Sequence, residues 1–117
     1  MNRKRKQIQS FDRWCRNTFR LEHIPTHVLY KEKALATETG IGFGVTVVMG
    51  SEIHSVWVAG KWPKKIVMKI LAHEYAHCIQ HINGQDYDEQ KADKMAEYML
   101  INYMESLKVK KRRKWKR

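Results

Sequence analysis

Two histidines four residues apart with a glutamate between them, His73-Glu74-Tyr75-Ala76-His77, are the residues of this sequence best suited to chemistry. On an α-helix, positions i and i+4 lie on one face about a turn apart, so both imidazoles can reach a single metal ion. Zinc suits two imidazole nitrogens. Glu74 leaves the helix on an adjoining part of its surface, where a carboxylate reaches a metal-activated water without becoming a ligand. The spacing therefore predicts a hydrolytic site: Zn2+ held by His73 and His77, with Glu74 as the catalytic general base.

A catalytic zinc wants a third protein ligand and an open position for water. No histidine follows His81, and His81 lies about 12 Å along the helix axis from His73, too far to share the ion. The third ligand is therefore expected to be acidic and to come from the next helix, where Glu89, Asp93 and Glu97 are the candidates. In that helix Ala92, Ala96, Met99, Leu100 and Tyr103 form the apolar stripe. At about 100° per residue Glu89 lies within roughly 40° of its centre, Asp93 about 75° away and Glu97 well over 100° away. Glu89 is thus expected to point inward, where a carboxylate is costly unless paired or bound to a metal. Asp93, one turn on, is suited to accept the spare imidazole N–H of a ligand histidine.

These residues need elements to position them, and the sequence punctuates itself clearly. Apolar positions from Ile8 to about Leu21 recur at helical spacing, with Ser10 or Asp12 as caps and Pro25 as the stop. Val28 to Tyr30 suggest a short strand, and a polar stretch follows through Thr39. Ile41–Met49 and Ile53–Ala59 are rich in β-branched and aromatic residues and flank Gly50-Ser51, which predicts a hairpin. Pro63 then opens a helix over about Lys64–His81, Asn83-Gly84 ends it, and Asp86 or Asp88 caps a last helix running to about Leu107. The expected architecture is α+β: an N-terminal helix, a small hairpin or sheet, the metal-binding helix and an antiparallel C-terminal helix. Residues 8–107 form the expected single domain, between a basic N-terminal tail over 1–7 and a basic C-terminal tail over 108–117.

With His73-Glu74-Tyr75-Ala76-His77 followed by Glu89-Gln90-Lys91-Ala92-Asp93, the chain resembles the zincin metallopeptidases whose third ligand is a glutamate. The likeness runs over about Ile41–Leu107 and is similar to that of the small ImmA/IrrE-like peptidases. It implies zinc on His73, His77 and Glu89, Glu74 as base, Asp93 behind the ligands, and a peptide substrate lying along Ile53–Ala59, with Val56 and Trp57 shaping its pocket. Only 11 residues separate His77 from Glu89, a spacing closer to SprT-like peptidases, which use a third histidine absent here. His81, His54, Tyr87 and Tyr98 are the candidate donors to the oxyanion of peptide hydrolysis.

Charge is unevenly spread. The net charge of +11 belongs to the two ends: Arg3–Lys6 and the run from Lys108 to Arg117 are almost wholly basic, whereas residues 7–107 hold 11 basic and 12 acidic side chains. Lys110, Lys111, Arg112, Arg113, Lys114 and Trp115 are the expected contacts to DNA or RNA, the cations for phosphates and the indole for a base. Two cysteines exclude a multi-bridge secreted scaffold, and no apolar run approaches the roughly 20 residues that span a bilayer. The expected setting is the reducing cytoplasm. A non-enzymatic zinc-stabilised module binding nucleic acid or protein is the alternative to a peptidase.

Overall fold

The computed structural model describes residues 2–38 and 40–115, with side chains described as far as Arg112. Its architecture is α+β, in the order α1 (Arg3–Phe19), β1 (Thr26–Leu29), β2 (Leu35–Thr37), β3 (Gly40–Gly42), β4 (Gly44–Met49), β5 (Glu52–Ala59), α2 (Lys64–Ile82) and α3 (Glu89–Trp115). No helix among the described residues is long and apolar enough to cross a membrane.

Helix α1 starts earlier than periodicity suggests, because Asn2 accepts the Arg5 N–H and satisfies an otherwise orphaned donor. Arg3 to Gln7, expected as a tail, are its first turns. Ser10 and Asp12, expected as caps, lie inside it. It ends at Phe19, well before Pro25, where Arg20 takes a left-handed conformation (φ 55°) and Leu21 N–H closes onto the Arg16 carbonyl.

The larger sheet has the order β1-β5-β4, with β1 parallel and β4 antiparallel to β5. The expected hairpin is present as β4 and β5, with its first arm shortened because Gly40–Gly42 forms β3 of a separate sheet, and β5 is the middle strand of the larger one. Residues 56–59 cannot receive a substrate as an edge, since β1 pairs with them on one side and β4 runs along the other, whereas residues 53–55 are paired only to β4. Beside β4 the register jumps from Val47–Ser55 to Val48–Ile53, leaving His54 as a bulge. The bulge reverses the alternation, so that Ile53 as well as Val56 and Val58 packs on the core. The polar stretch through Thr39 contains β2, which pairs with β3 in a separate two-stranded sheet.

Helix α2 packs on this sheet and buries ten of its residues, with Val67, Leu71, Ala72, Tyr75 and Ala76 among those fully buried. Each large apolar side chain so removed from water contributes on the order of 1.5–3 kcal/mol before entropy is counted. The helix ends in a Schellman turn: Gly84 takes φ +69°, its N–H donates to the His81 carbonyl, and the Gln85 N–H reaches the Gln80 carbonyl. Asp88 then caps α3 by accepting the Lys91 N–H. The expected apolar stripe of α3 is the observed one, with Ala92, Ala96, Met99 and Tyr103 buried and Leu100 packed against them. Beyond Leu107 the helix continues through the basic segment, because nothing in Lys108–Trp115 breaks it.

Candidate metal centre

The tight turn between α2 and α3 lays the two helices antiparallel, and this decides which acidic residue meets the histidines. Glu89, the first residue of α3, brings Oε2 to 2.9 Å from His73 Nε2 and Oε1 to 2.8 Å from His77 Nε2. The two Nε2 atoms are 3.0 Å apart. Two imidazole nitrogens and the two oxygens of one carboxylate thus surround one point, with contacts slightly shorter than the roughly 3.3 Å expected between ligands of a tetrahedral zinc at 2.0–2.1 Å. They form the group of His, Cys, Asp or Glu side chains suited to a metal ion among the described residues. Asp93 and Glu97, the other candidates for third ligand, lie outside that group. Glu97 is exposed, and Asp93 sits behind His73.

Glu89 is not buried as its position on the stripe suggested. Its side chain is 75% exposed, and its carboxylate turns sideways onto the histidines at the lip of the two helices. Desolvation therefore gives no reason for its placement. The reason is the first-turn position, which the Asp88 cap fixes.

The outer nitrogens of the imidazoles decide what the inner ones can do. His73 Nδ1 lies 2.8 Å from Asp93 Oδ1, a carboxylate oxygen that only accepts when ionised. His77 Nδ1 lies 3.0 Å from Gln80 Oε1, and the orientation of that amide is fixed from two sides: its NH2 donates to the Asp88 carbonyl, while Oε1 also accepts the Asp88 N–H. With these outer partners accepting, each imidazole in its neutral form carries its proton on Nδ1 and turns an Nε2 lone pair toward the Glu89 carboxylate. Acceptors facing one another in this way repel until a shared proton or a metal cation lies among them. The donor set, two imidazoles and a carboxylate, fits zinc.

Gln80 was missed in the sequence. Its signal was a polar residue three positions after His77 in a mostly apolar stretch, and it is 2% exposed.

Glu74 is nearly buried, on the side of α2 that faces β4. Thr46 Oγ1 donates to Glu74 Oε1 at 2.9 Å. A Cβ on Gly44 would lie 3.0 Å from Glu74 Oε2 and 2.8 Å from Ile70 Cγ2, so only glycine leaves the carboxylate its place. Burial raises the proton affinity of Glu74 above that of an ordinary glutamate, opposed by the Thr46 hydrogen bond and the neighbouring histidines. Next to it, Tyr75 donates to Asp12 Oδ1, with Thr26 Oγ1 2.9 Å from the same phenol oxygen, which ties α2 to α1 and β1. Burial pushes the Cys78 thiol up to about 12, so it remains protonated at neutral pH.

The remaining expected residues divide. Tyr87 packs its ring 5.0 Å from that of His77. By contrast, His81 Nε2 donates to the Ser51 carbonyl at 2.7 Å, His54 pairs with Ser55, and Tyr98 is 70% exposed on α3. Val56 is fully buried in the core, so it cannot shape a substrate pocket. Trp57 stacks on His27 at 4.1 Å and donates to Ser55 Oγ, at a position paired on both sides, with His27 of β1 and Val45 of β4. Lys110, Lys111 and Arg112 are exposed, whereas the side chains of Arg113, Lys114 and Trp115 lie outside the described residues. No family model, curated protein or solved structure matches the chain.

Proposed function

We propose that this protein is a zinc-dependent peptidase, with His73, His77 and Glu89 holding the metal and Glu74 as general base. The observation that carries this reading is the convergence of His73, His77 and Glu89 on one point, with Asp93 and Gln80 oxygens placed to accept from the outer imidazole nitrogens. Zinc bound there supplies Lewis acidity, which acidifies water towards a pKa of about 7 and polarises a peptide carbonyl.

The chain's own residues supply the rest. Thr46 occupies Glu74 Oε1, which leaves Oε2 to accept a proton from water and return it to the leaving amine. Its raised proton affinity suits a base that must also give the proton back near neutral pH. Tyr87, against His77, is the donor best situated to approach a substrate carbonyl oxygen. β4 is the sheet edge nearest Glu74, and an extended peptide added to it would pass in front of the carboxylate.

Elemental analysis of protein purified under zinc-replete conditions tests the ligand set, and an anomalous difference map should place the ion among these three side chains. Glu74→Gln is expected to keep the metal while peptide hydrolysis falls by about 10²–10⁴-fold. Folded protein without metal, or full hydrolysis by Glu74→Gln, overturns the proposal. Zinc retained by a wild-type chain that hydrolyses no peptide leaves a zinc-stabilised binding module instead.

A further inference from the structure

The fold gathers cations that the sequence keeps apart. Lys4 Nζ donates to the Gly60 carbonyl, and Arg5 lies over the Tyr30 ring, 4.5 Å from its centroid. The first turn of α1 therefore sits against the β1–β2 loop and the segment leading into α2. Those two segments are themselves joined, since Lys61 N–H donates to the Glu32 carbonyl and Trp62 Nε1 to the Lys33 carbonyl. Lys31 and Lys33 come with the loop, and Lys61, Lys64 and Lys65 with the start of α2.

Nine basic side chains thus surround the N-terminal end of α2, and Glu32 is the one carboxylate in the same segments. Arg3, Lys6, Lys31, Lys33, Lys61 and Lys65 are exposed. Among the described residues none of the nine is ion-paired. Neither α1 nor α2 has an acidic residue in its first turn, so the positive helix ends add to the same field. The antiparallel register, His77 at Glu89 and His73 at Asp93, carries the level of Lys64 to about Asn102. Lys108, Lys110, Lys111 and Arg112 on α3 therefore continue past this same end. Like charges held together unpaired destabilise the folded chain, and a polyanion relieves that repulsion.

We infer that this basic end docks on the phosphate backbone of duplex nucleic acid. The rings present favour a duplex over a single strand. Arg5 lies over Tyr30, and Trp62 meets Phe43 edge-on at 5.5 Å with its N–H on the Lys33 carbonyl, so the two rings among these cations are already engaged with protein groups. Binding is then carried by phosphate contacts and is indifferent to sequence. The start of α2 is about 14 Å along the helix from His73, so a docked duplex leaves the metal centre facing whatever protein lies alongside.

Fluorescence anisotropy of the full chain against a mixed-sequence DNA duplex, titrated from low to physiological salt, tests this. Lys61→Glu/Lys65→Glu and, separately, Arg3→Glu/Lys6→Glu are expected to weaken binding about tenfold or more and to flatten the salt dependence by up to about two units of log–log slope. Lys91→Glu/Lys94→Glu removes equal charge from the start of α3 and is expected to change affinity less than about twofold. Circular dichroism of each variant reports folding, and Lys61→Gln/Lys65→Gln repeats the test without introducing acid. A chelator is expected to leave duplex binding intact, which separates this surface from the metal centre. Equal losses in all the charge-reversal pairs, preference for a single strand, loss of binding with chelator, or tighter binding to anionic phosphatidylserine vesicles each overturns the inference.

Discussion

The two ends of α2 treat polar groups in opposite ways. Near its C-terminal end, His73, His77 and Gln80 are bound to Glu89 and Asp93 of α3 and to its cap Asp88, so that each imidazole has a partner on both ring nitrogens. At its N-terminal end, basic side chains, most of them exposed, have no ionic partner among the described residues. Six of the 12 acidic residues fall between Glu74 and Glu97, close to the first arrangement. A network with fixed partners can hold a small ion in one geometry. Long solvated cations suit a ligand whose charge repeats along a surface and which needs no single geometry. The difference suggests a division of labour within one small fold, and it is open to attack from the ligand end outward.

The largest effect expected there is on metal affinity. Gln80→Leu removes the acceptor for His77 Nδ1 and both links to Asp88, and should weaken zinc binding by about 10–100-fold in competition with a chromophoric chelator. Gln80→Glu keeps the acceptor and should recover most of that loss. If Gln80→Leu binds zinc as wild type does, the fixed-partner description of this end fails. Duplex affinity should be indifferent to either change.

A smaller effect is expected one step away from the ligands. Gly44→Ala presses a methyl group on Glu74 and Ile70, and is expected to reduce peptide hydrolysis about tenfold or more while zinc affinity stays within about twofold. Equal losses of hydrolysis and zinc would mean that β4 supports the ligands rather than the base.

The smallest concerns the scaffold that both ends share. Burial raises the proton affinity of Asp12, against the opposing effects of Tyr75 and Arg16. The folded chain therefore holds that proton more tightly than the unfolded chain does. Wild type should gain stability relative to Asp12→Asn as pH falls from neutral through the raised value towards about 4. Asparagine keeps an acceptor for Tyr75 without a buried charge, so Asp12→Asn should be more stable at pH 7 by on the order of 1 kcal/mol, with the gap closing near pH 4. Urea unfolding at the two pH values measures this.

What could be read along the chain was whatever depends on near neighbours. The four-residue spacing of His73 and His77, the Gly84 stop, the Asp88 cap and the stripe through Ala92, Ala96 and Met99 all follow from helical periodicity and local hydrogen bonds. Three features depended on which segments meet. β5 became the central strand only when β1, distant in sequence, paired with it. Gln80 gained its role because the turn after α2 returned Asp88 to its side chain. Lysines scattered over a chain segment of nearly balanced charge met the first turn of α1 because Lys4 and Arg5 pack on the loops beside α2. Periodicity encodes which face of an element is buried, but the partner of that face is chosen by non-local packing, whose contacts leave no fixed spacing to be read.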